Sequence, residues 1–194
     1  MATTALKEWA VAVKALREGR QVLLVRKGGI SEETRDFRIQ AEQFLLFPTY
    51  EHQRRDLLQP AFQADLDAIL DESRDPTRVR LDTWAELTDL FEVTEPSQVE
   101  ALAPFYGFTE QYAEERLRWR PRKPLLVMAV RAYALRTPLD VEARPEYGGC
   151  KSWLTLPVDV ARADLVPALD DAAYRAQIAA VREALARVPS GAAG

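Results

Sequence analysis

Cysteine, histidine and lysine are all scarce in this 194-residue chain, and each scarcity closes off a chemistry. A single cysteine, Cys150, excludes an internal disulfide framework, and a single histidine, His52, excludes a structural zinc site of the Cys/His type. No apolar run approaches the roughly 18 residues that a membrane-spanning helix requires. The basic-then-apolar order of a signal peptide is missing too, because Lys7 and Glu8 interrupt the N-terminus. The expectation is a cytoplasmic protein with no membrane partner. A net charge of −4 excludes wholesale attraction to nucleic acid, so any such contact must be a local patch. Only 5 lysines stand against 21 arginines. That ratio reflects either a GC-rich genome or a need for planar, bidentate phosphate donors.

What is present suits one domain. The chain is 47% apolar and 29% charged, and a domain of this length buries roughly 70% of its unfolded surface. Linkers, repeats and low-complexity tracts are absent, so residues 1–188 are expected to form a single domain, with 189–194 as a disordered tail. Leu6, Trp9, Ala10, Val13 and Leu16 follow the i, i+3, i+4, i+7 stripe of a packed helix, predicted over 5–18, with Gly19 as its left-handed cap. Strands are predicted over 21–26, 37–40, 44–49, 124–135 and 151–156, with a polar loop at 28–35. Helices are predicted over 54–72, 97–103, 109–119 and 172–187. Pro60 either kinks the first of these or starts it. Residues 79–93 read as extended, although a helix fits their middle.

The residue inventory tests several chemistries. A restriction-type nuclease needs an acidic residue two positions before a strand lysine to hold magnesium. The residues in those positions are Ala5, Ala12, Val25, Pro121 and Gly149, so the standard form is absent. No cofactor is implied, and scattered carboxylates with one histidine have no metal-ligand spacing. A serine or cysteine hydrolase would have to use His52, with Cys150 or Ser152 as nucleophile in the segment Gly148-Gly149-Cys150-Lys151-Ser152. Lys151 beside the thiol would favour a thiolate. The competing reading makes Gly148-Gly149 a tight turn and Cys150 a small buried apolar residue.

Cations cluster in Arg116-Leu117-Arg118-Trp119-Arg120-Pro121-Arg122-Lys123, with Tyr112 one helical turn earlier. In an extended loop Arg118, Arg120 and Arg122 would project to one side and Trp119 to the other. Guanidiniums on phosphates beside an aromatic face would bind RNA, single-stranded DNA or a nucleotide. Otherwise Glu110, Glu114, Glu115 and the acidic helix around Asp65 and Asp71 neutralise the arginines in surface pairs. Arg26 and Lys27, leaving the strand at 21–26, would join the same groove if the sheet brings the segments together. Tyr50, His52 and Trp153 form a second, weaker set for base stacking.

The run Gly19-Arg20-Gln21-Val22-Leu23-Leu24-Val25-Arg26 resembles the Gly-x-Lys-x-x-Glu-x-Arg motif of ASCH domains in the PUA-like superfamily. Phe108 to Tyr112, Arg116, the strand through Arg131 and Pro138 resemble the second half of such a domain. Over nearly its whole length the chain resembles a bacterial family known only as DUF 1802. Three runs carry that likeness: Arg26-Lys27-Gly28-Gly29-Ile30, Phe47 through Gln53, and Tyr147 through Trp153. The resemblance implies an α+β fold, a PUA/ASCH-like mixed β-barrel with flanking helices. It also implies binding of RNA or nucleotides and, in some members, cleavage of RNA or an amide. Catalysis in those members uses a lysine and a polar or acidic partner within the motif. Here Gln21 and Leu24 stand in those places, and neither an amide nor an alkyl group acts as a base. The expectation is therefore a phosphate-binding groove of Arg26, Lys27, Arg118, Arg120, Arg122 and Lys123, with Trp119 or Tyr112 stacking. A Cys150/His52 hydrolase or ribonuclease and a protein-interaction accessory domain are the alternatives. Enzymatic activity and oligomeric state stay open.

Overall fold

Two β-branched residues, Thr3 and Thr4, start a strand, β1 (Thr3–Trp9), that runs directly into helix α1 (Ala10–Arg17). The computed structural model describes residues 2–26, 39–51, 53–118, 123–149 and 151–188. The helix expected over 5–18 is thus strand in its first part. β1 pairs parallel with β3 (Gln43–Thr49) and antiparallel with β6 (Trp153–Leu156). Both its faces are buried: Ala5 packs with Leu45 and Leu154, and Leu6 with Phe44 and Trp153. A strand covered on both sides loses its alternating pattern, so Leu6 and Trp9 mimic a helical stripe.

Gly19 ends α1 as its position suggests. Its φ is 69°, its N–H donates to Leu16 and that of Arg20 donates to Ala15, at 3.0 and 2.9 Å. This is the paired closure of a left-handed C-cap. The chain then enters β2 (Leu23–Arg26). Gln21 precedes the strand instead of opening it. Its buried amide donates to the Leu23 carbonyl at 2.7 Å and accepts from Gly107 N–H at 3.1 Å.

Two long strands form the frame. β4 (Arg78–Val93) confirms the extended reading of 79–93, and β5 (Leu125–Glu142) outruns the strand expected there. The short β7 (Leu165–Pro167) pairs with β5 and has no clear periodic signal. The sheet order is β2-β5-β4-β3-β1-β6. Ile39 and Gln40 lie outside any strand, and the rest of the strand expected over 37–40 falls outside the described residues. Helix α2 (Pro60–Asp71) starts at Pro60, where the missing N–H costs nothing. α3 (Pro96–Leu102), α4 (Glu110–Arg118) and α5 (Asp171–Ala186) fall close to their expected spans. Thr109 Oγ1 accepts from Tyr112 N–H at 3.3 Å and Asp170 Oδ1 from Ala173 N–H at 2.7 Å, so α4 and α5 start on side-chain caps.

α1 sits between sheet and helices. Val13 and Leu16 join Leu24, Phe44, Met128 and Val130 on the sheet side. Val11, Ala12 and Ala15 join residues of α2 to α5, together with Leu23, Val25, Val127 and Ala129 of β2 and β5. The sheet is strongly staggered and curled. Arg26 of β2 is level with Glu92 of β4, whereas Ala5 of β1 is level with Trp84. Despite that offset, Arg26 touches β1, as the tilt of strands in a barrel requires. Among the described residues no ladder joins β2 to β1. A side chain closes the seam instead.

Candidate functional site

The β2–β5 register decides which cations meet. Arg26 pairs with Leu126, so the end of β2 and Lys123, just before β5, lie at one end of this ladder. Arg118, at the end of α4, is the last described residue before Lys123. Segments nearly a hundred residues apart are thereby brought to one edge. Lys27, Trp119, Arg120 and Arg122, the other members of the expected groove, lie outside the described residues.

Each described member already has a partner. Arg26 Nη2 donates to the Lys7 carbonyl at 2.7 Å and to Glu8 Oε2 at 2.8 Å. Glu8 is 5% exposed, and its Oε1 accepts from Trp9 N–H at 2.7 Å. Arg26 therefore serves the seam, its charge balanced by a buried carboxylate. Arg118 donates to Glu114 Oε2 at 2.5 Å one helical turn back, but it is 75% exposed and such a pair holds weakly. Lys123 also has an interaction partner.

Tyr112 differs from the expectation. Its ring is buried, stacked on Phe108 at 4.1 Å and 13°, with the Arg116 guanidinium 4.3 Å over its other face. Trp9 meets it edge-on at 5.9 Å. Burial pushes its hydroxyl up to about 12. With both faces covered, Tyr112 is part of the core beneath the cations and offers no surface to a base. Trp153 is buried in the same way, edge-on to Phe44 at 5.2 Å. Tyr50 lies under Arg74, 4.0 Å from its ring.

His52 and Cys150 lie outside the described residues, but their neighbours are tied to one stretch of chain. Gln53 Oε1 accepts from Val11 N–H at 3.3 Å. Lys7 Nζ donates to the carbonyls of Tyr147 and Gly149 at 2.9 and 2.8 Å, and Lys7 N–H to that of Ser152 at 2.8 Å. Lys151 is exposed beside that turn. No cluster of three or more His, Cys, Asp or Glu suited to a metal occurs among the described residues. Nor, among them, is any helix long and apolar enough to cross a membrane.

A cleft of about 410 Å³ opens beside the start of α1, between α1, α2, β3 and β4. Ala10, Val13, Pro48 and Ile69 give it apolar walls, while Tyr50, Arg17, Arg80 and Asp82 stand at its polar side. From α1 it takes Ala10, Val13, Lys14 and Arg17, spaced as one helical face. Sequence reasoning missed this cleft and the buried Glu8, because the α1 stripe was assigned entirely to the core. The one available signal was a cationic pair, Lys14 and Arg17, in line with the apolar residues.

The model of the family described as a domain of unknown function, DUF1802, matches residues 5–180, and the chain belongs to that family. No curated protein matches the sequence. A crystal structure of a mutant ZmASCH protein from Zymomonas mobilis is similar to 70% of this chain and 72% of its own, with 12% identity and a TM-score of 0.41.

Proposed function

For this DUF1802 member we propose binding of a phosphate-bearing ligand, RNA, single-stranded nucleic acid or a nucleotide, at the β2–β5 end of the sheet. One observation carries the reading: the register that brings Arg26 and Lys123 to the same edge, with Arg118 leading into it. Arg26 holds the seam against Glu8. Lys27, Arg118, Arg120, Arg122 and Lys123 supply phosphate contacts, and Trp119 a stacking face. Tyr112 has no part beyond supporting Arg116. The surrounding negative net charge keeps binding local and strongly salt-dependent.

The test is fluorescence anisotropy with a short single-stranded RNA at low salt. Binding that weakens steeply as salt rises, and vanishes when Arg120, Arg122 and Lys123 are all changed to Glu, supports the reading. Undetectable binding at low salt, or affinity indifferent to salt, rejects it and leaves a protein-interaction domain, to be sought by pull-down. A hydrolase using Cys150 and His52, including a ribonuclease, is the second reading. It is favoured by the ties of Gly149 to Lys7 and of Gln53 to Val11, which anchor both segments to residues 7–11. Turnover undiminished in both Cys150→Ala and His52→Ala would end it.

A further inference from the structure

The cleft beside α1 is chemically unlike the cationic edge. Its apolar lining comes from Ala10 and Val13 on α1, Ala68 and Ile69 on α2, and Pro48 on β3. Ala10 and Ala68 are small lining residues, so the cleft forms a slot beside the packed α1–α2 contact. At about 410 Å³ it falls within the roughly 300–1,000 Å³ of small-molecule sites. Pro48 and Tyr50 close its β3 end. The Tyr50 ring is held by the Arg74 guanidinium, which also donates to the Ile69 carbonyl.

The charges around the slot do not cancel. Arg17 pairs with Asp82, whose other oxygen accepts from Thr83 Oγ1 at 2.7 Å. Lys14 divides between Glu18 and Asp65. The lining itself carries three cations, Lys14, Arg17 and Arg80, against two carboxylates, Glu72 and Asp82. Arg80 is exposed on β4, and among the described residues its side chain makes no ion pair or hydrogen bond, not even with the side chain of Asp140, its partner across the ladder. A surplus positive charge at the mouth of an apolar slot selects a ligand that is flat at one end and anionic at the other.

We propose that this cleft is a second binding site, taking a small planar anion whose ring lies between α1 and α2 and whose anionic group meets Arg80. A nucleoside monophosphate and an aromatic carboxylate share that chemistry. Titration calorimetry with adenosine 5′-monophosphate and, separately, with 4-hydroxybenzoate distinguishes them.

At least one anion should bind saturably at one site per chain. Its neutral counterpart, adenosine or phenol, should bind at least about tenfold more weakly, the loss expected when a charge-assisted contact is removed. Arg80→Ala should weaken the anion by a similar factor. Ala68→Trp, at an exposed position on α2, should block the slot and abolish binding, with an unchanged circular dichroism spectrum and melting temperature showing that the fold persists. The variant with Glu at 120, 122 and 123 should bind the small anion normally, which separates this site from the cationic edge. Failure of both anions at millimolar concentration overturns the proposal. So does equal binding of anion and neutral counterpart, or binding that survives Ala68→Trp.

Discussion

Arg26 of β2 and Glu8 of β1 meet across the seam of the curled sheet, Nη2 2.8 Å from Oε2, with the carboxylate buried and the guanidinium nearly so. Removing one member leaves the other as an uncompensated charge. Glu8→Ala should therefore cost about 3–5 kcal/mol in urea unfolding. Replacing both, in Glu8→Gln with Arg26→Met, should recover most of that loss. A single-variant loss below about 1 kcal/mol, the range of exposed pairs, would show that the seam does not depend on this contact.

Gly19 is held at a φ of 69°, and a Cβ built there would lie 2.7 Å from Leu169 Cδ2 and 3.1 Å from the Ala168 carbonyl. Gly19→Ala should destabilise by about 1–2 kcal/mol from the left-handed backbone alone. The clash adds to this unless Leu169 moves. Added to Leu169→Ala, it should cost less than in the wild type by the Leu169 share, leaving the backbone strain and the Ala168 carbonyl contact, as a denaturation midpoint series would show.

Tyr112 supplies a pH dependence. Burial lifts its hydroxyl from 10.0 in the unfolded chain to about 12 in the fold. The folded state thus keeps a proton that the unfolded state releases above pH 10. The associated stability is complete below that pH and is lost as pH rises toward 12, by about 2–3 kcal/mol for this residue. Tyr174, also raised to about 12 by burial, falls in the same window. Tyr112→Phe should flatten the alkaline decline by its own share in thermal melts taken from pH 9 to 12. An identical decline in the variant would remove Tyr112 as a cause.

Glu114 competes with any phosphate for Arg118. Glu114→Gln should tighten short RNA by roughly twofold to fivefold, since an exposed pair of this kind is worth a few tenths to 1 kcal/mol. Arg118→Ala should weaken it and lower the slope of log affinity against log salt by about one. No response to either change would place the bound phosphates elsewhere.

Much of the architecture was legible because it follows local rules. The cap at Gly19, the start of α2 at Pro60, the apolar strand after Pro124 and the α4 start at Thr109 each follow from one residue's backbone or hydrogen-bonding chemistry. β1 was misread because burial on both faces removes the only periodic mark a strand carries. Tyr112 looked like a stacking residue beside cations. Whether an aromatic next to arginines faces solvent or Phe108 is fixed by the neighbour across the fold, not by spacing.

The linear order of residues determined most of the elements, though not β1 or β7, together with the cations at Arg26 and at Arg116 to Lys123 and membership in a family. It could not determine the pairing of β2 with β5 or the reach of Arg26 to Glu8. Nor could it determine the slot between Ala10 and Ala68. Those depend on strand register and sheet stagger, which are set by the burial of many side chains at once. No short stretch of sequence holds that information, because hydrophobic burial is non-directional until the whole sheet has curled.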